Sequence, residues 1–310
     1  MKTMSKILSI ALGLSLALVI SCNLLPQEEA PADGTGKVVV TITDAPFPVD
    51  LVDEVLITID RVELRIAGGT CTTTYGEEVG KKEKSNDKRR KEHDYSAYEC
   101  DRGFVVISGE EKTIDILKLQ NGLTEILAEG TIPVGEYDMI RLHVVEATII
   151  IKGNDSFVLK ISSGNSSGLK IFLDTPITVT EEGVSEVLVD FDLSRSFKSI
   201  GNIKNKHDIK GFMFRPVIRA VNYKKTGILY GKVMEEEGTA VKNALISVFL
   251  GDSVVSTALS NSRGEYKLIG LPANTYALSA EKEGYMPFTE KNIKIAPKAK
   301  IRKDIRLARP

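Results

Sequence analysis

Val55-Leu56-Ile57-Thr58-Ile59-Asp60-Arg61-Val62-Glu63-Leu64-Arg65-Ile66 decides the fold class. Apolar residues recur at every second position, the period at which one side of an extended strand meets a core. They are odd-numbered through Ile59 and even-numbered from Val62, so the apolar parity changes across Asp60-Arg61. A bulge or sharp bend there keeps both halves on one core. The same period runs through Val38, Val40 and Ile42. It returns in Val187, Val189, Phe191 and Leu193, whose opposite positions Leu188, Asp190, Asp192 and Ser194 form a polar face. Further strands are expected over 104–107, 139–151, 156–161, 169–173, 177–180 and 212–221. Only 114–119 and 123–128 read as helical.

The composition breaks at Tyr223-Lys224-Lys225-Thr226-Gly227, and a second series of short strands follows over 228–234, 244–250, 254–260, 265–269, 276–281 and 300–307. Turn residues punctuate them at the spacing of β-sandwiches. The expectation is an all-β chain of two tandem β-sandwich domains, 37–223 and 227–307. A length of 310 residues suits two domains. With 41 Lys and Arg against 42 Asp and Glu, the net charge of -1 gives no field that would draw a polyanion, which argues against a nucleic-acid partner.

The chain opens with Lys2 and Lys6, an apolar run from Ile7 to Ile20, and Ser21-Cys22. The run is too short to span a bilayer and has the order of an export signal. Leu18-Val19-Ile20-Ser21-Cys22 resembles the bacterial lipobox, which implies removal of residues 1–21 and acylation of Cys22, with the lipid bilayer as the first partner. Each buried methylene contributes about 0.8 kcal/mol, so several chains hold firmly. Asn23 in place of Asp points by the same resemblance to the outer membrane; Gln27-Glu28-Glu29 leaves its periplasmic and cell-surface faces both open. Residues 22–36, rich in Pro, Glu, Ala and Gly, read as a flexible tether.

Of three cysteines, Cys71 and Cys100 remain. The 28 residues between them are densely charged with both signs and read as a solvated loop, closed at its base by a Cys71–Cys100 disulfide in an oxidising compartment. Tyr75, Tyr95 and Tyr98 in this loop are the best exposed aromatic candidates for a glycan, in a chain without Trp.

Several motifs imitate active sites. Gly164-Asn165-Ser166-Ser167-Gly168 spells G-x-S-x-G, but a strand rather than a helix is expected after it, which fits a hairpin turn and not a nucleophile elbow. His143-Val144-Val145-Glu146 has the spacing of a zinc pair; in a regular strand residues three apart face opposite ways, and His207 is the one plausible third ligand. Asp190 and Asp192 share a strand face, and with Asp44 they would make a carboxylate cluster. Two readings stay open: ion pairs with Arg141, Arg215 or Arg219, the favoured one, or a calcium site. Neither a catalytic residue nor a resident metal is assigned.

Two families resemble parts of the chain. Gly231-Lys232-Val233, Asn261-Ser262-Arg263-Gly264-Glu265-Tyr266, Gly270-Leu271-Pro272-Ala273-Asn274-Thr275-Tyr276 and Glu283-Gly284-Tyr285 are similar to the carboxypeptidase regulatory-like domain, a seven-stranded transthyretin-like sandwich with no catalytic role of its own. That resemblance implies a hairpin at Gly264, a turn at Pro272 and Tyr266 and Tyr276 in the core. Asn274 stands where the family usually has Gly, a change a left-handed Asn would tolerate. Its carbohydrate-binding-like relatives keep a glycan partner open. Thr43-Asp44-Ala45-Pro46, Asp115 to Gly122, Pro133 to Leu142, Ser167 to Ile171, Val189 to Asp192 and Phe214 to Arg219 look like the lipoprotein family called domain of unknown function 4382, over about 36–223. Together these imply an outer-membrane lipoprotein that binds or supports, its partner an envelope protein or a glycan; a carbohydrate-binding accessory protein is the alternative, and a hydrolase is a weaker one.

Overall fold

The computed structural model describes residues 34–45, 51–68, 100–101, 103–153, 155–159, 167–201 and 208–310. Cys22, Cys71, Ser166, His207 and the three loop tyrosines lie outside them. Cys100 opens a strand, but its proposed partner is not described.

Alternating Val, Ile and Thr build the first part: β1 (Thr35–Ala45), β2 (Val52–Ile66), β3 (Cys100–Asp101), β4 (Phe104–Ser108), β5 (Lys112–Asp115), β6 (Glu125–Pro133), β7 (Gly135–Ile151), β8 (Asp155–Val158), β9 (Leu169–Val179), β10 (Val184–Asp192), β11 (Phe197–Gly201), β12 (Ile209–Phe214) and β13 (Ile218–Asn222). One sheet runs β3-β4-β2-β7-β9-β13-β10-β1-β6, with β5 added to β2 and β8 to β7, and β11-β12 form a separate ribbon. The sheet curls until its ends meet: a Cβ on Gly130 of β6 would come 2.5 Å from the Ile107 carbonyl oxygen of β4. A single core fills the fold, from Val38, Val40 and Ile42 of β1 to Val187, Val189 and Phe191 of β10.

The parity change in β2 is a bulge. Ile59 faces Val144 and Arg61 faces His143, leaving Asp60 as the extra residue. Val55, Ile57 and Ile59 on one side of it, and Val62 and Leu64 on the other, are all buried. β7 answers with its own extra residue, Val145, since Thr58 faces Glu146 while Ile59 faces Val144. Matched bulges on long paired strands keep both lined up while the pair coils.

Three local expectations are corrected. Residues 114–119 form the end of β5 and a 3-10 turn, Ile116–Leu119, started by the Asp115 carboxylate accepting from the Leu117 N–H at 3.2 Å. Residues 123–128 enter β6, because pairing with β1 outweighs the helix preference of Leu, Glu and Ala. Residues 212–221 are two strands rather than one: Pro216 lacks an N–H for the ladder and separates β12 from β13.

After β13 a 3-10 turn, Tyr223–Lys225, leads directly into β14 (Thr226–Glu235), followed by β15 (Leu245–Leu250), β16 (Ser253–Leu259), β17 (Glu265–Pro272), β18 (Asn274–Glu281), β19 (Phe288–Ile295), β20 (Lys300–Arg302) and β21 (Ile305–Leu307). β20 and β21 run parallel to successive stretches of β14 and act as one interrupted strand, giving a three-strand layer β17-β14-β20/β21 against a four-strand layer β16-β15-β18-β19. This is a seven-stranded β-sandwich with its own core, including Leu229, Val233, Ile246, Val248, Tyr266 and Tyr276. Gly264 has φ +74° and turns the hairpin; Asn274 needs no positive φ, and its carboxamide oxygen instead accepts from the Thr275 N–H at 2.8 Å.

A candidate binding site where the two cores meet

The polar face read from β10 is covered. Val187, Val189 and Phe191 point into the first core, while Leu188 on the other face packs with Val221 and Ile269 in a small cluster joining the two cores. Asp190 and Asp192 share that second face and are 6% and 4% exposed. Both carry arginines. Arg219, directly across the ladder from Asp190, donates from Nη2 to Asp190 Oδ2 at 2.7 Å and from Nη1 to the Gly270 carbonyl oxygen of β17 at 2.6 Å. One guanidinium therefore ties the first core to the second. Gly270 has φ +67°, and a Cβ there would lie 2.5 Å from Leu188 Cδ2, so backbone geometry and close approach both select glycine. Asp192 accepts from the Arg195 N–H at 3.0 Å and from Arg195 Nε at 2.6 Å, which caps the helical turn Leu193–Ser196.

Asp44 does not join these two. It lies beside Phe191 in the parallel β1–β10 pair, hence on the core face, across the sheet from Asp190 and Asp192. Its Oδ1 accepts from the Leu193 N–H at 3.3 Å, and Oδ2 is buried without a partner. Burial, outweighing the Leu193 hydrogen bond and assisted by the charges of Asp190, Asp192 and Asp115, pushes its carboxyl well above the usual range. Burial also raises Asp190, against the opposing pull of Arg219.

The other two arginines of the expected cluster go elsewhere. Arg141 is buried on β7 opposite Glu63, to which Nη2 donates at 2.6 Å and Nε donates as well, and its guanidinium lies 4.0 Å from the Phe104 ring centroid. Arg215 is exposed, and its backbone N–H donates to the Ser196 carbonyl at 2.8 Å. His143 and Glu146 face the same way after all, because the Val145 bulge restores the parity that three regular residues would break. His143 Nε2 sits 3.5 Å from Glu63 Oε2, and Glu146 accepts from Thr148 Oγ1 at 3.1 Å. Among the described residues no three His, Cys, Asp or Glu side chains are grouped to hold a metal ion. Gly168 has a packing role: a Cβ there would come 2.8 Å from Arg141 Cγ and 2.9 Å from His143 Cδ2.

A cleft of about 560 Å³ opens along the junction. Asp174, Asp190, Asp192, Arg195 and Arg219 supply its charged wall, and Leu250, Val254, Val255 and Ile218 its apolar one. Concave, mixed surfaces between domains are where ligands commonly sit. The sequence marked Asp190, Asp192 and Arg219. It did not mark Asp174, Arg195 or the apolar residues of β15 and β16 as parts of a site, and they gain meaning only when the second core is placed.

No helix among the described residues is long and apolar enough to cross a membrane. No curated protein matches the chain. Among solved structures, a Bacteroides uniformis ATCC 8492 protein aligns at 20% identity over 26% of this chain and 40% of that one, with a TM-score of 0.23. The 3-chlorocatechol 1,2-dioxygenase of Rhodococcus opacus 1CP aligns at 13% identity over 28% and 61%, with a TM-score of 0.22. The shaft pilin SpaA of Lactobacillus rhamnosus GG aligns at 10% identity over 89% and 98%, with a TM-score of 0.23. The chain thus spans less than two thirds of the first two, and at these TM-scores none of the three carries a functional argument. Family models speak more directly: the carboxypeptidase regulatory-like domain matches residues 228–308 and the domain of unknown function DUF4382 matches residues 35–216. The chain belongs to the DUF4382 family, with a carboxypeptidase regulatory-like domain following the family domain.

Proposed function

We propose that the protein is a lipoprotein anchored to the outer membrane through acylated Cys22, and that its folded part works by binding or structural support rather than by catalysis. The observation that carries the second half is the state of three of the four buried carboxylates among the described residues; the fourth, Asp44, faces the first core rather than the cleft. Glu63, Asp190 and Asp192 each hold an arginine at hydrogen-bond distance. A carboxylate so engaged is committed to structure; a general base needs a lone pair aimed at substrate. The first half rests on the lipobox-like Leu18 to Cys22 and the Pro- and Glu-rich stretch behind it.

The test is fractionation of cells expressing the chain. Radiolabelled palmitate should enter the parent, and Cys22→Ala should lose the label and leave the membrane fraction. A Cys22→Ala protein that stays in the membrane pellet unlabelled would defeat the anchor. Protease added to intact cells then separates the two faces: cleavage places the folded part outside, and protection until the outer membrane is opened places it in the periplasm.

A further inference from the structure

A second recess lies on the outer face of the β17-β14-β20 layer, away from the Asp190–Arg219 junction residues. It measures about 380 Å³, and Tyr230, Lys232, Lys267, Arg302, Glu265 and Asn261 line it, with Asn121 of the first fold at its rim. Strand register explains its centre. Leu229 and Val233 point into the sandwich core, so Tyr230 between them points out, and it is 38% exposed. Tyr230 stands directly opposite Lys267 on β17 and opposite Arg302 on β20. Directly paired residues share a face, so the three form a row across three strands: cation, aromatic ring, cation.

The charges in this row are unevenly committed. Glu265 is held by Arg263, whose Nε donates at 2.9 Å, and by Asn261 Nδ2 at 3.2 Å. Arg302 meets Asp304 through Nε and Nη2 and keeps Nη1 for another acceptor. Lys267 is exposed and has no ion pair among the described residues; its stem passes close to Gly122, where a Cβ would come 2.9 Å from Lys267 Cδ. Lys232 also reaches Glu265 at 3.6 Å, so four cations, Lys232, Lys267, Arg302 and Arg263, stand against two carboxylates, Glu265 and Asp304, and the exposed phenol ring lies in a surface with positive excess.

We infer that this face binds an acidic oligosaccharide bearing carboxylate groups. A pyranose ring presents an apolar C–H face that suits the Tyr230 ring, and carboxylates on successive sugars suit Lys267 and Arg302, which stand two strands apart on either side. Neutral sugars would leave the two cations unused. The inference rests on the reading that the protein acts by binding, and it names the class of ligand.

The test is calorimetric titration of the full-length protein in detergent with fragments of oligogalacturonate, oligoguluronate and hyaluronate, and with the methyl ester of whichever binds. Saturable binding is expected for at least one acid form and at least tenfold weaker binding for its ester. Tyr230→Ala should weaken binding at least tenfold and Tyr230→Phe should retain it; Lys267→Gln should weaken it several-fold and lessen its dependence on salt. Unchanged thermal unfolding of Tyr230→Ala establishes that the fold is intact, and Lys267→Gln, on the surface, serves if it is not. Equal affinity for acid and ester, binding indifferent to both substitutions, or no saturable binding of any acidic sugar would overturn the inference. None of these results bears on release by Cys22→Ala, so the anchor reading and this site fail separately.

Discussion

Asp44 is 6% exposed, with one oxygen accepting from the Leu193 N–H and the other unpartnered. Its raised carboxyl has a stability consequence whose sign is fixed. Unfolded, the group ionises near its ordinary value of about 3.9; folded, burial keeps the proton on to a higher pH. Between those two values the unfolded chain releases a proton that the native chain retains, so the contribution is complete below the unfolded value and is lost as pH rises through the folded one. Asp190 is displaced in the same direction and adds to the slope. Asp44→Asn keeps an acceptor for Leu193 and removes the ionisation. It should raise stability at pH 8 by on the order of 1 kcal/mol, with a smaller gain at pH 4.5 and a flatter pH dependence that Asp190 still tilts. Urea midpoints at the two pH values decide it: an equal loss at both would mean that Asp44 is not held neutral.

At the level of strands and turns, one five-residue corner occurs twice. Pro133-Val134-Gly135-Glu136-Tyr137 joins β6 to β7, and Pro272-Ala273-Asn274-Thr275-Tyr276 joins β17 to β18. In each, the tyrosine hydroxyl donates back to the proline carbonyl, at 2.8 Å and 2.7 Å, while the ring is buried. This is the geometry of a tyrosine corner. Burial raises the Tyr276 phenol above its ordinary range, in keeping with a hydroxyl that stays protonated and donates. Tyr137→Phe and Tyr276→Phe should each cost about 1 kcal/mol, the net worth of one hydrogen bond, with the ring packing kept. A urea midpoint unchanged in either variant would show that the hydroxyl is equally well satisfied when the chain is unfolded. Both corners can be seen in the sequence once compared side by side, and the β2 bulge can be read from Ile59 and Val62 alone because it changes the parity of a strongly apolar run. The β7 bulge could not, since Val144-Val145 offers apolar residues on both faces and only the pairing with β2 reveals which is extra. That omission reversed the facing of His143 and Glu146. β6 was hidden for a different reason: Leu127 and Ala128 are helix formers, and what makes them strand is β1, more than 80 residues earlier in the chain. Asp44 was misplaced because the β1–β10 register joins residues 147 apart, and no local pattern states which face of one strand matches which face of another. The Tyr230 row was missed likewise, since Lys267 and Arg302 flank it only after β14 acquires an antiparallel neighbour on one side and a parallel one on the other.

The whole folded part depends on how two cores joined through only the three-residue turn Tyr223–Lys225 are held together. Leu188, Val221 and Ile269 supply a small apolar contact, and Arg219 adds the polar one by bridging Asp190 to the Gly270 carbonyl. A small junction of this kind leaves independent domain motion as the default unless something specific prevents it. Arg219 is that device. Its planar fork reaches a carboxylate and a carbonyl at once, which the single ammonium of lysine cannot reproduce. Calorimetric unfolding should therefore show one transition in the parent and two in Arg219→Met, with the first core weakened by about 3 to 5 kcal/mol because Asp190 is left buried without its cation. Arg219→Lys should also separate the transitions, with a smaller loss. Stranded charge and lost coupling are then told apart by Arg219→Met combined with Asp190→Asn. Removing the charge should restore most of the first core's stability, yet the two transitions should remain apart because the bond to Gly270 is still missing. If the double variant melts as one unit, the apolar contact alone couples the cores and the role assigned to Arg219 is wrong.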